Sequence, residues 1–337
     1  MRLPAGLILA GSLCLFGLNG YCATRTVTDD VGNQVVLPAK TERIADAWYA
    51  HHSLLMTLGA GGEIVATVNH PQTQPWMFAV QPSLHQALST TGTAFNVESL
   101  LARGVDVVFV TAGDRNAVSL RQAGLPVVEM RFVDFDSMKR SLRTTAQVLG
   151  TASASRRAEE YIGYLDAQLQ GIDAKTAGLT PQQRPRVLHI QSLNPLKVDG
   201  GDTLIDQWIR RAGGRNAAQG LKGNMQPVSI EQVLAWKPDA IIVAANAGEL
   251  SRSAWAGQLA QLDAVKAGRV WRNPAGVFPW DRYGTETALQ IQWAAQKLHP
   301  QLFPQLNLRL ATQDFYRRFF DYTLSDEQAD RILAGRF

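Results

Sequence analysis

The sequence predicts an α/β fold: two Rossmann-like lobes, each with a mostly parallel central sheet, joined by one long α-helix. Three observations lead there. Short β-branched runs alternate with helical patterns in both halves of the 337-residue chain, the signature of βαβ units. Between the halves, residues 151–178 keep helical spacing and offer no strand candidate. One phrase also occurs twice, as NVESLLARGVDVVFV (96–110) and SIEQVLAWKPDAIIV (229–243), with Glu98 eight residues before Asp106 and Glu231 eight before Asp239. The copies lie 133 residues apart (231 − 98), far too long for a solenoid period, so two similar lobes is the direct reading.

Each element follows in order. Residues 1–23 hold one basic residue, Arg2, an apolar run shorter than a spanning helix needs, and small and polar residues at its end. This is the pattern of a cleaved secretory signal peptide. The N-terminal lobe is expected over 24–150. It opens with a hairpin around Asp30-Val31-Gly32-Asn33, then a short buried strand at RIADA and a helix from His51 ended by Gly59. Further strands are expected at EIVATV, Val105–Val110 and Leu125–Met130, and helices at Glu98–Arg103, Ala117–Ala123 and Ser137–Leu149. In the linking helix Ala158, Tyr161, Ile162, Leu165 and Leu169 recur near helical spacing, with Ser153 or Ser155 as the cap. The C-terminal lobe, 184–337, repeats the alternation: strands at Val187–Gln191, Ala240–Ala244 and Val270-Trp271, helices at Thr203–Ala212, Ile230–Ala235 and Glu286–Leu298, then a helical tail.

Composition narrows the function. Hydrophobic residues make up 46% and charged residues 18%, with a formal net charge of +4. No block of like charge points to nucleic acid. Both cysteines, Cys14 and Cys22, fall in the leader, so thiol, iron–sulfur and cysteine–zinc chemistry are not expected of the mature chain. No Gly-x-Ser-x-Gly elbow, phosphate-cradling Gly-rich loop or His-Glu-x-x-His motif occurs. An enzyme is therefore not expected, and no cofactor is.

Taken together, TVTDDVGNQVVLPAKTERI, LGAGGEIVATV, the two repeated phrases, AGGRNAA and FPWDRYGTE resemble, in order and spacing, the periplasmic solute-binding proteins of iron-siderophore and cobalamin ABC importers. The resemblance covers essentially the whole mature chain. It implies a periplasmic monomer that captures a small molecule, such as an iron-siderophore or similar metal chelate, between its lobes. It implies delivery to a permease dimer with ATPase subunits. It also implies that Glu98 and Glu231, one per lobe, dock into arginine pockets of the permease. The physics suits that role, because a carboxylate in the first turn of a helix is rigidly placed and pairs bidentately with arginine. The plainer account is two first-turn glutamates favoured by the helix dipole. The copies differ at one turn, where Gly104-Val105 stands in place of Lys237-Pro238.

Ligands of open α/β sheets bind beyond the carboxyl ends of the strands, so residues just after each strand are the candidates. These are Trp48, Tyr49 and His51, then His70, Arg115 and Gln191, and Trp280, Arg282 and Tyr283. Aromatics can present flat faces to a chelate, and Arg282 can grip an anionic group. The competing readings are a bare transition metal ion, for which the histidines lack ligand spacing, and an oxyanion such as molybdate; an exported hydrolase is the remotest.

Overall fold

The computed structural model describes residues 24–90, 92 and 94–337, so the expected signal peptide and both cysteines lie outside the described residues. The first strands, β1 (Thr24–Thr28) and β2 (Gln34–Pro38), form the expected antiparallel hairpin. Its turn is tied by the Asp29 carboxylate, which accepts from the backbone N–H groups of Val31 and Asn33.

In the N-terminal lobe, β3 (Ile44–Asp46), β4 (Ile64–Thr67), β5 (Leu88–Ser89), β6 (Val107–Thr111) and β7 (Val127–Met130) build a parallel sheet in the order β5-β4-β3-β6-β7. Helices α1 (His51–Thr57), α2 (Pro75–Val80), α3 (Val97–Ala102), α4 (Ala117–Gln122) and α5 (Phe135–Leu149) accompany it. The interior strand β6, VVFVT, is buried at its first four positions, as expected of a parallel strand covered on both faces. Helix α5 begins earlier than its sequence pattern indicates, because Asp134 caps it through a hydrogen bond from Ser137 N.

The linking helix α6 spans Ala152–Thr176. Its cap is Thr151, whose hydroxyl accepts from Ala154 N, rather than Ser153 or Ser155. The second lobe holds β8 (Arg186–Leu193), β9 (Leu196–Val198), α7 (Leu204–Arg211), β10 (Arg215–Asn216), β11 (Gln226–Pro227), α8 (Ile230–Trp236), β12 (Ala240–Val243), α9 (Ala256–Leu259), α10 (Asp263–Lys266), β13 (Val270–Arg272) and α11 (Thr287–Leu298). The helical tail is α12 (Leu308–Phe319) and α13 (Asp326–Leu333). This second sheet is mixed. Strands β8, β12 and β13 are parallel, whereas β9 turns back antiparallel on β8 and β11 pairs antiparallel with β9. The β8–β9 hairpin escapes sequence reading because its turn is only Asn194-Pro195 inside an apolar run.

The repeated phrase plays the same structural part twice. Asn96 and Ser229 cap α3 and α8 through their side chains. Asp106 then accepts from the backbone N–H groups of Glu42 and Arg43 at 2.8 and 2.9 Å, just before β3. Asp239 accepts from Arg186 N at 2.8 Å, at the start of β8. Each aspartate thus fixes the start of the central strand beside its own.

The lobes share a core. One buried cluster runs from Leu54 and Leu55 through Tyr161 and Leu165 of α6 to Trp208, Leu289 and Phe315, while smaller clusters cover the outer face of each sheet. Polar bonds pin the same junction. Arg157 donates to the carbonyls of Thr57 and Phe319, the Tyr161 hydroxyl to Thr285 O, and Thr285 N to Ser53 Oγ.

Candidate ligand cleft

The carboxyl ends of β3 and β8 meet across a cavity of about 370 Å³. Trp48, Tyr49 and Ala50 line it from the turn after β3, and Gln74 from the turn before α2. The facing lobe supplies Gln191 at the end of β8, Ala244 and Asn246 after β12, Met225, and the loop residues Phe278, Pro279, Asp281, Arg282 and Tyr283. Trp48 lies near Phe132 (5.2 Å between ring centroids) and Tyr283 (6.4 Å), and Phe132 lies 5.4 Å from Tyr283. These three rings cross from lobe to lobe. Beyond them a second cavity of about 290 Å³ is lined by Trp48, Phe132, Tyr283 and Asn224.

Beneath the C-terminal wall sits a buried polar centre. The imidazole of His189, on β8, lies between Asp199 (Nδ1–Oδ2 2.8 Å) and Asp281 (Nε2–Oδ2 2.7 Å). Asp199 also accepts from Arg282 Nη1 and from Met225 N, both at 2.8 Å. Burial opposes charging of His189, but the two carboxylates outweigh it and raise its pKa to about 9. Burial likewise opposes ionisation of Asp199, and His189 and Arg282 outweigh it, lowering its pKa to about 2. The centre therefore carries two positive and two negative groups.

A second centre lies under the N-terminal wall. Asp46, the last residue of β3, has the ring nitrogens of His51 and His52 at 3.0 and 3.1 Å. His51 Nε2 reaches Thr145 Oγ1 at 3.0 Å, and His52 Nε2 reaches Thr67 Oγ1 at 2.7 Å. Although burial works against it, the two imidazoles hold the Asp46 pKa well below the usual carboxylate range.

The loop 277–286, which carries most of the C-terminal wall, is tied to Glu286. This buried carboxylate accepts from Val277 N, Phe278 N, Trp280 Nε1 and the Tyr316 hydroxyl. Burial outweighs those donors and raises its pKa to about 7.

Of the residues marked as ligand-binding from the sequence, Trp48, Tyr49, Gln191, Arg282 and Tyr283 come together at the cavity. Four do not. His51 is fully buried because Asp46 and Thr145 take both ring nitrogens, so it supports the wall behind Trp48 rather than lining the cleft. Trp280 is fully buried, its N–H spent on Glu286. His70 turns away to Thr90 O at 2.7 Å. Arg115 is exposed in the turn after β6, outside both cavities. Sequence reasoning did not select Asp199, His189 or Phe278. The one signal for Asp199 is VDGG, where Gly200 and Gly201 pack against the backbone of residues 219–221. Glu98 and Glu231 are both exposed, in the first turns of α3 and α8. Among the described residues, no three His, Cys, Asp or Glu side chains converge to hold a metal ion, and no helix is long and apolar enough to cross a membrane.

A two-lobed α/β fold on a single helical spine, with an aromatic cleft between the lobes, defines a solute-binding protein. The family model described as periplasmic binding protein matches residues 48–275, and the chain belongs to that family. Such proteins serve ABC importers, and this chain is a binding component of that kind of transport. It is 24% identical to the molybdate-binding protein MolA of Haemophilus influenzae over 92% of this chain and 94% of that one. It is 27% identical to the vitamin B12-binding protein of Salmonella typhimurium over 48% of this chain and 59% of that protein. Among solved structures, a periplasmic solute-binding protein of Veillonella parvula superposes with a TM-score of 0.77 at 26% identity, covering 92% of this chain and 97% of that one. Molybdate-bound MolA superposes with a TM-score of 0.79 at 21% identity, covering 89% and 99%, a likeness of fold.

Proposed function

We propose that this chain, exported to the periplasm by a cleaved signal peptide, captures a small metal chelate such as an iron-siderophore between its lobes. It then delivers the chelate to a membrane permease, using Glu98 and Glu231 as docking carboxylates. One observation carries the ligand reading. The cleft is walled by aromatic faces from both lobes, Trp48 and Tyr49 against Phe278 and Tyr283, while the charges beneath it are already paired with one another. Such a site suits a ligand that hides its metal inside an organic shell. A bare ion needs converging side-chain ligands instead. The pinned core about α6 supports a modest opening of the lobes rather than a wide hinge.

The full-length likeness to MolA makes molybdate the competing ligand. Thermal-shift measurements against ferric hydroxamate and catecholate siderophores, cyanocobalamin, sodium molybdate and zinc chloride separate these readings. A ligand present at about 100 times its Kd adds about 2.7 kcal/mol of apparent stability, which shifts the melting temperature visibly. The expected outcome is a shift with a chelate, and loss of that shift in Trp48→Ala. A shift with molybdate or zinc alone sinks the chelate reading.

A further inference from the structure

Three buried oxygens at the two cavities have no hydrogen-bond partner among the described residues: Asp281 Oδ1, Gln191 Oε1 and Asn224 Oδ1. Asp281 and Gln191 line the larger cavity, Asn224 the smaller. Asp281 is the most telling. Its Oδ2 is taken by His189, and a carboxylate has no donor of its own to offer through Oδ1 at neutral pH. A buried acceptor without a donor is destabilising, so the cleft wall holds a demand that the protein leaves unmet.

The next residue supplies the opposite character. The Arg282 guanidinium spends one N–H on Asp199 and makes no other hydrogen bond within the described residues, and Arg282 lines the same cavity. A spare donor and a spare acceptor therefore stand on consecutive residues of one loop. With two positive and two negative groups, the surroundings carry no net charge to attract an ion of either sign.

We propose that Asp281 and Arg282 form a polar reading edge that selects a neutral ligand group presenting an N–H or O–H beside an oxygen, such as the edge of a secondary amide or N–H hydroxamate. The inference rests on chelate capture and adds which chelates fit. An all-acceptor oxyanion satisfies Arg282 but brings a second acceptor against Asp281 and Gln191. An N-alkylated hydroxamate satisfies Arg282 and leaves Asp281 bare.

The test uses two kinetically inert neutral chelates that differ only in this group, chromium(III) tris(acetohydroxamate) and chromium(III) tris(N-methylacetohydroxamate). Isothermal titration into the full mature chain reads both affinities. The N–H chelate is expected to bind about tenfold tighter or more, the range for a hydrogen bond to a charged acceptor. Asp281→Asn keeps an oxygen for His189 and turns an amide NH2 toward the ligand, so the ratio should fall to about one through weakening of the N–H chelate alone. Gln191→Met, remote from the ion-pair centre in its chemistry, should lower the ratio by a smaller factor and serves if Asp281→Asn does not fold. Equal binding of both chelates by the wild type, or a preference that survives both substitutions, overturns the reading edge and leaves chelate capture standing. Failure of the wild type to bind either chelate also overturns the reading edge, while chelate capture is then decided by the wider chelate screen above.

Discussion

The two lobes carry opposite versions of one device. Asp46 lies opposite Phe109 in the β3–β6 pairing, and His189 lies opposite Ile242 in the β12–β8 pairing. Phe109 and Ile242 occupy the same place in the two copies of the repeated phrase, so Asp46 and His189 are equivalent positions. One lobe puts a carboxylate there and surrounds it with two imidazoles. The other puts an imidazole there and surrounds it with two carboxylates. The sheet fixes where a buried polar group sits behind the cleft, while its sign is free to vary. The consequences differ, too. The N-terminal centre is closed, its ring nitrogens capped by threonines. The C-terminal centre continues through Asp281 and Arg282 into the cavity wall. One lobe braces the ligand cleft and the other lobe's polar chemistry reaches it.

Glu98 and Glu231, proposed above as docking carboxylates, are the point where the lobes should behave alike, and breaking them should give the largest effect. Both are exposed, and each rides on a helix capped in the same way. In a reconstituted importer, Glu98→Ala with Glu231→Ala should abolish uptake while ligand affinity measured by titration stays unchanged. Each single change should cost part of the uptake. If the double variant transports normally, the pair is merely a fold signature.

The buried centres should part company with pH. His189 has a folded pKa raised to about 9 from an ordinary 6.5. Its contribution is therefore full below pH 6.5 and is lost as pH rises through 9, a loss on the order of 3 kcal/mol. Glu286, raised from 4.5 to about 7, contributes fully below pH 4.5 and has lost that contribution once pH has risen through 7, so the interval from 7 to 9 belongs to His189. Asp46 is lowered, so its contribution is present above pH 3.8 and is lost as pH falls below that. Urea midpoints measured across pH should show an alkaline slope that His189→Gln removes. They should also show an acid slope that Asp46→Asn reduces. An alkaline slope untouched by His189→Gln would contradict the reversed polarity of the two centres.

Much of this architecture is legible in the sequence because it is written in short-range patterns. Strand alternation, helix spacing and the doubled phrase locate the N-terminal sheet, the spine and both glutamates. The strand-end rule also brings Trp48, Tyr49, Gln191, Arg282 and Tyr283 to the cleft neighbourhood. Side-chain direction is where local pattern stops. His51 and Trp280 stand beside true wall residues in the chain, yet each is turned inward by a buried partner, Thr145 for the first and Glu286, itself held by the distant Tyr316, for the second. His189 sits in the middle of β8 and Asp199 just past the end of β9, and their importance appears only once they pair with each other and Asp281 is folded against His189 from 92 residues further on (281 − 189).

The smallest expected difference lies in the turn after α3 and α8, where the two copies of the phrase diverge. Gly104 has φ +60° and its counterpart Lys237 has φ +46°. Both turns need a left-handed residue there to swing from helix to strand and to set Asp106 and Asp239 against their neighbours. Glycine meets that need without strain, whereas a side chain in this region costs about 1–2 kcal/mol. Lys237 is further constrained by Pro238, since a residue before proline favours extended backbone. Lys237→Gly should thus relieve strain, offset in part by about 0.4–1 kcal/mol of added unfolded-chain entropy, for a net gain of about 0.5 kcal/mol in denaturant unfolding. Gly104→Lys should lose about 1 kcal/mol. The space at Gly104 is open, a Cβ there meeting only Arg43 Nε at 3.8 Å, so backbone strain alone sets that loss. Equal and opposite shifts would mean that the turns are interchangeable parts. A larger loss at Gly104 than gain at Lys237 would show that the second lobe has adapted its surroundings to a strained residue.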